Sequence, residues 1–151
     1  MNKHRRAVWW GPLCFRDPVL LCGVLYPLLW FDASGFLRIG LWAAFFHELG
    51  HVLAYLLLLR RKPKIDVTMT GFCLRVDRGE LSRRETFLLA AAGPGTNLAL
   101  AAVWMLRMEQ QATIRGSAFL AANLLTAGFN LLPVPPLDGY ELCKSLQFPR
   151  K

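Results

Sequence analysis

Residues 45–53 read FFHELGHVL, and the reading of this stretch decides the fold. It lies inside GFLRIGLWAAFFHELGHVLAYLLLL, residues 35–59, an apolar run that stops abruptly at Arg60, Arg61, Lys62 and Pro63. A helix needs about 20 residues to cross the hydrocarbon core of a bilayer, and this run is long enough. Ionisable side chains inside such a span are costly, rare and usually functional, which singles out His47, Glu48 and His51. At i and i+4 on a helix the two imidazoles share one face, where they can hold one Zn²⁺. Glu48 lies beside them, placed to take a proton from a water that zinc would acidify to a pKa of about 7. The alternative, an accidental polar island in a helix, fits poorly with such apolar surroundings.

The whole composition agrees with a membrane setting. The 151 residues are enough for one domain, and 54% of them are hydrophobic, with a mean hydropathy of +0.33. The formal charge of +8 comes from 18 Lys and Arg against 10 Asp and Glu. These charges flank the apolar runs, as charges at a membrane surface do, so no nucleic-acid partner is expected. Three further apolar runs occur, at 18–31, 86–106 and 117–132. The first would rise only about 21 Å at ~1.5 Å per residue, so it needs thinning of the bilayer or burial by neighbours. The third run is interrupted by Gly93, Pro94 and Gly95, and the fourth ends in PVPPLDG. Lys and Arg number four in residues 1–17, eight in 60–85 and three in 140–151, while Arg38, Arg107 and Arg115 fall towards the other side. The positive-inside rule therefore puts both termini, including the segment 137–151, in the cytoplasm of what we expect is a bacterial plasma membrane. The basic N-terminus lacks a following signal-type h-region and reads as a retained tail. Cys14, Cys22, Cys73 and Cys143 are too scattered for a zinc pair or a disulfide framework and read as free thiols.

Between the second and third spans, KIDVTMTGFCLRVDR alternates apolar and polar residues, as strands do. A turn at Thr70-Gly71 predicts a β-hairpin over about 65–76, with Val67 opposite Leu74, Ile65 opposite Val76 and Asp66 opposite Arg75. A lone hairpin is marginal in water, so it is expected to lie against the helices. The fold class predicted is a membrane-embedded all-α core of about four transmembrane helices with this small membrane-associated β-hairpin, in a single domain over 1–151.

A catalytic zinc usually has three protein ligands and one open position. Most of the remaining carboxylates fall on the far side or in the polar hairpin region. Asp138 differs, because it follows a span broken by Pro133, Pro135 and Pro136, where irregular backbone can turn it into a protein-lined cavity. A plain Asp-Gly turn is the alternative reading of Asp138. Asn130, in an otherwise apolar span, reads equally well as a donor to a substrate oxyanion or as a helix-to-helix hydrogen bond. For Asn97 and Asn123 the helix-to-helix role is favoured. Gly93 and Gly95 read as positions of close helix approach, and Arg38 as a side chain snorkelling to the far interface.

HELGH in one span, AAGPGTN in the next and FNLLPVPPLDG after a further span together resemble the site-2 proteases, intramembrane zinc metalloproteases. The resemblance covers roughly residues 13–146. It implies His47, His51 and Asp138 as ligands of one Zn²⁺ per chain and Glu48 as general base. It also implies a membrane-associated hairpin at 65–76, with FRDPV as a short strand ahead of it. The expected activity is hydrolysis of a peptide bond within or near the transmembrane segment of a single-span membrane protein, with a regulatory membrane partner in addition. Phe72, Cys73, Leu74, Arg75 and Val76 would form the edge strand that receives the unwound substrate. Tyr140 stands where the family often has a second glycine, and neither a PDZ insertion nor a CBS region is seen. A non-proteolytic zinc protein that binds or escorts membrane proteins is the rival reading. A small metal transporter fits less well, since the candidate ligands concentrate in two motifs. A glutamate as third ligand would have to be Glu141.

Overall fold

The structure, a computed structural model, describes residues 7–10, 13–61, 63–68, 71–75 and 81–147. Strands β1 (Ala7–Trp10) and β2 (Leu13–Arg16) precede helix α1 (Pro18–Phe31) and helix α2 (Phe36–Leu59). Strands β3 (Lys64–Thr68) and β4 (Gly71–Arg75) follow, then helices α3 (Arg83–Met108), α4 (Ile114–Asn130) and α5 (Asp138–Gln147).

Local chemistry sets the helix ends. Pro18 opens α1, its fixed φ being suited to a first helical turn. The turn from α1 to α2 is tied in both directions. The Asp32 carboxylate accepts from the backbone N–H groups of Gly35 and Arg38 at 2.9 and 3.2 Å, and the Arg38 guanidinium donates to Leu29 O at 2.8 Å. Arg38 thus caps the end of α1. Desolvation pushes the Asp32 carboxyl up, but its Arg38, Ser34, Leu37 and Gly35 donors outweigh this and hold its pKa below the ordinary value. Arg60, in the left-handed region at φ 50°, ends α2 by donating to Leu56 O. A capping box opens α3: the Ser82 hydroxyl accepts from Glu85 N–H, and the Glu85 carboxylate accepts from Ser82 N–H. The helix then runs unbroken through Gly93, Pro94 and Gly95. Thr113 caps α4 by accepting from Gly116 N–H at 3.0 Å.

Two of the four expected spans, α2 with 24 residues and α3 with 26, are long and apolar enough to cross a membrane. α1 has 14 residues and α4 has 17, rises of about 21 and 26 Å, short of the ~30 Å hydrocarbon core. α3 lies centrally against α2, α4 and α5, and α2 also touches α4. The interior is built from small or polar residues: Ala43, Ala90, Ala101, Ala127, Gly50, Gly93, Asn97, Asn123, His47 and His51 are buried. Large apolar side chains face outward, among them Trp30, Phe31, Leu57, Leu106, Ile114 and Leu125. That inversion of the water-soluble pattern suits lipid, where small residues let helices approach and large ones meet acyl chains.

The sheet corrects the lone hairpin. It has four strands in the order β1-β2-β3-β4, with β2 and β3 parallel and the other pairs antiparallel. The strand expected at FRDPV is met only by Phe15 and Arg16, which end β2, because Asp17 caps α1 and Pro18 and Val19 begin it; β2 starts at Leu13 and pairs Leu13 with Ile65 and Phe15 with Val67. Two flanking strands supply support that an isolated hairpin lacks. The register of β3 with β4 also differs: Thr68 faces Gly71, Val67 faces Phe72, Ile65 faces Leu74 and Asp66 faces Cys73. Arg75 is therefore opposite Lys64 and diagonal to Asp66. Each partner moves by two residues, which leaves every side chain on its expected face, so alternation alone cannot tell the two registers apart. Met69, Thr70 and Val76 lie outside the described residues, as do residues 1–6 of the basic tail and 148–151. Cys14, Cys22 and Cys143 are free thiols, as expected.

A Cβ on Gly50 would strike the Thr96 hydroxyl and come within 2.7 Å of Ala92 O, and that hydroxyl is itself held by Ala92 O at 2.8 Å. Gly50→Ala should therefore cost about 1–3 kcal/mol by overpacking. Thermal unfolding in detergent checks this, and a variant as stable as the wild type would refute the tight α2–α3 contact.

Candidate metal centre

The site forms where α2, α3 and the start of α5 meet. His47 and His51, one turn apart on α2, are both buried, with relative exposures of 4% and 8%. Asp138 opens α5, which folds back so closely that a Cβ on Gly139 would collide with the backbone of Leu131 at the end of α4. This fold-back carries Asp138 to the α2 histidines. Its Oδ2 lies 3.0 Å from His47 Nε2 and 3.2 Å from His51 Nε2, and the two Nε2 atoms are 3.2 Å apart. Among the described residues these three form the group able to hold a metal ion.

The other ring nitrogens decide what faces the centre. His51 Nδ1 lies 2.8 Å from Leu89 O. A backbone carbonyl can only accept, so His51 Nδ1 carries a proton and, in the neutral ring, Nε2 a lone pair. His47 Nδ1 lies 2.8 Å from Asn97 Oδ1, which gives His47 the same tautomer. With both rings neutral and the carboxylate ionised, three lone pairs converge on one point, an arrangement that is repulsive unless a metal cation or an added proton sits among them. The donor set suits zinc, and the edges fit as well: bonds of ~2.0–2.1 Å in a tetrahedron imply donor separations of about 3.3 Å. Asp, His and His leave the fourth position for water or substrate, as in a catalytic rather than a structural site.

Glu48 is half-buried next to His47 and within electrostatic reach of His51, His47 and Asp138. The wall of the site is Gly93, where a Cβ would collide with His51 Nε2 and lie 2.8 Å from His47 Cε1. Gly95 has open space around its Cβ position, so the close approach expected of both glycines belongs to Gly93 alone. Asn130 is half-buried and donates to Thr126 O of its own helix at 2.9 Å. Asn97, weighed above as a helix-to-helix contact, hydrogen-bonds a metal-site histidine directly. The signal that could have found it is its place in AAGPGTN, four residues after Gly93 and so on the same face of α3. Tyr140 is half-buried, its ring 5.9 Å from Lys144 Nζ. Phe72, Cys73, Leu74 and Arg75 lie on β4, one of the two edge strands of the sheet among the described residues.

Comparison with known proteins agrees with this architecture. No family model matches the chain. The fold matches the "Site-2 Protease from Methanocaldococcus jannaschii" with a TM-score of 0.67, covering 93% of this chain and 70% of that one at 17% identity. In sequence, 69 residues are 41% identical to the "Putative zinc metalloprotease MJ0611" of Methanocaldococcus jannaschii, over 42% of this chain and 36% of that protein. The match thus spans about a third of the length of that relative. The fold is that of a site-2 protease, and this likeness extends over nearly the whole chain.

Gly93→Ala inserts a methyl group against both imidazoles without removing a donor. It should weaken Zn²⁺ binding tenfold or more while the helical circular dichroism is kept. Competition with a chromophoric chelator measures the affinity, and an unchanged value would show that Gly93 does not shape the site.

Proposed function

We propose that this chain is an intramembrane zinc metalloprotease that cleaves a peptide bond within or near the transmembrane segment of a single-span membrane protein. The observation that carries the reading is the triangle of lone pairs on His47 Nε2, His51 Nε2 and Asp138 Oδ2, set among apolar helices. The fold and the partial likeness to a zinc metalloprotease support it.

In this reading His47, His51 and Asp138 hold one Zn²⁺. Bound there, Zn²⁺ supplies Lewis acidity, polarising the scissile carbonyl and acidifying the attacking water. Glu48 accepts the proton of that water and passes it to the leaving amine. Asn130 has one amide proton committed to Thr126 O and offers the second to the carbonyl oxygen as it gains charge. With residues 60–85 on the cytoplasmic side, His51 and His47 lie about 12–18 Å in from Leu59 at ~1.5 Å per residue. Water reaches that depth past the non-helical segment 131–137, which joins α4 to α5.

A helical substrate has its carbonyls already bonded, so it must unwind locally before hydrolysis. The outer edge of β4 receives the unwound stretch as an added strand, satisfying its backbone where water is scarce. A regulatory membrane partner would act by controlling access to this edge.

Metal analysis followed by cleavage assays on a panel of single-span substrates tests the proposal. The wild type should carry one zinc and cleave. Glu48→Gln should keep the zinc and lose at least 100-fold in rate, and Asp138→Ala should lose the zinc. A wild type that holds zinc and cleaves nothing would favour a binding or escort role. Neighbouring backbone N–H groups on a strand point to opposite edges, so Cys73→Pro and Leu74→Pro remove one outward and one inward donor. The variant that loses the outward donor should keep its zinc and its fold yet cleave several-fold more slowly. Equal cleavage by wild type and both variants in reconstituted vesicles would eliminate strand addition.

A further inference from the structure

His51 and His47 reach the same tautomer by different means. For His51 a single backbone carbonyl, Leu89 O, is enough. His47 instead meets an amide side chain, and an amide can face it with either its oxygen or its nitrogen. The rest of the hydrogen-bond chain makes that choice. Asn97 Nδ2 donates to Ala43 O at 3.0 Å and to Asn123 Oδ1 at 2.8 Å. Asn123 Nδ2 donates in turn to Phe119 O at 2.9 Å. Both asparagines have no exposed surface, so water cannot substitute for any member. The far end of the chain is a carbonyl, which can only accept. Its polarity therefore runs one way, from Phe119 O through Asn123 and Asn97 to the Nδ1–H of His47.

We propose that Asn97 and Asn123 are positioning residues forming a relay across α2, α3 and α4 that holds the His47 Nε2 lone pair towards the metal. Asn123, itself bonded to no metal-site residue, fixes the direction of Asn97. The inference rests on the metal reading above and adds to it a control point on α4. Partners of this kind orient metal-binding imidazoles, and their loss typically costs 10–100-fold in metal affinity. Ala43 O still holds Asn97 when Asn123 is gone, so Asn123→Leu belongs at the lower end of that range. Asn97→Leu belongs at the upper end.

The test uses the full chain in detergent. Zn²⁺ affinity is measured by chelator competition, Co²⁺ serves as a spectroscopic probe, and ¹⁵N NMR of histidine-labelled, metal-free protein reports the tautomer. Asn123→Leu should bind Zn²⁺ about tenfold more weakly, alter the visible bands of Co²⁺ and move His47 away from a pure Nδ1–H signal. Asn123→Asp, protonated at this buried site, accepts from Asn97 and donates to Phe119 O, so it should restore affinity to within threefold of wild type. Trp104→Leu removes a ring 4.9 Å from that of Phe119 and loosens the α3–α4 contact without removing any hydrogen-bonding group of the relay; its affinity should stay at the wild-type value. The relay is overturned if Asn123→Leu binds as wild type does, if Asn123→Asp gives no rescue, or if Trp104→Leu falls equally. A wild type that binds no zinc would overturn the metal reading itself.

Discussion

Three lone pairs forced together away from water are the constraint on which the rest of the structure depends. Each element near the centre removes one way of relieving that repulsion without a cation. Leu89 O and Asn97 occupy the Nδ1 protons, so neither ring, while neutral, can turn its proton inward and still satisfy its outer partner. Gly93 brings α3 so near that the rings have no room to swing apart. The fold-back of α5 over Leu131 keeps Asp138 at the same point. The protein thus binds electrostatic tension into a rigid frame, and the natural relief is a small divalent cation.

That frame explains the inverted packing. Lipid gives helices no hydrophobic reason to associate, so close van der Waals contact and interhelical hydrogen bonds must do so. Gly50 against Thr96 and Gly93 against the histidines provide the first. The Asn97–Asn123 chain provides the second. Hydrogen bonds of this kind average only about 0.6 kcal/mol in a membrane protein. As adhesive the amide chain is therefore modest, and the larger effect proposed for it is on direction, because a misdirected imidazole binds a metal about 10–100-fold more weakly.

Much of this was legible in the residues. Apolar length marked α2 and α3, and the i, i+4 spacing of His47 and His51 carried the metal reading, because both signals are local. The proline cluster before Asp138 foretold irregular backbone but not its path, which depends on the contact of Gly139 with Leu131. The strands were visible as alternation, whereas their register was not, since a shift of two residues keeps both faces intact. β1 escaped because residues 7–10 were read only as part of a basic tail, although Ala-Val-Trp-Trp and Leu-Cys-Phe-Arg flank a Gly-Pro turn signal. The three asparagines looked alike in sequence. What separates Asn97 from Asn130 is which helix face each occupies relative to α2, a property of the assembled bundle.

The ligands of the site lie far apart along the chain, with Asp138 87 residues beyond His51. During synthesis, α2 enters the membrane with its pair of imidazoles well before the carboxylate that completes the set exists. For the protease proposed above, hydrolytic power is therefore withheld by the order of translation itself, and a nascent chain that ends before α5 presents HELGH as an incomplete metal site.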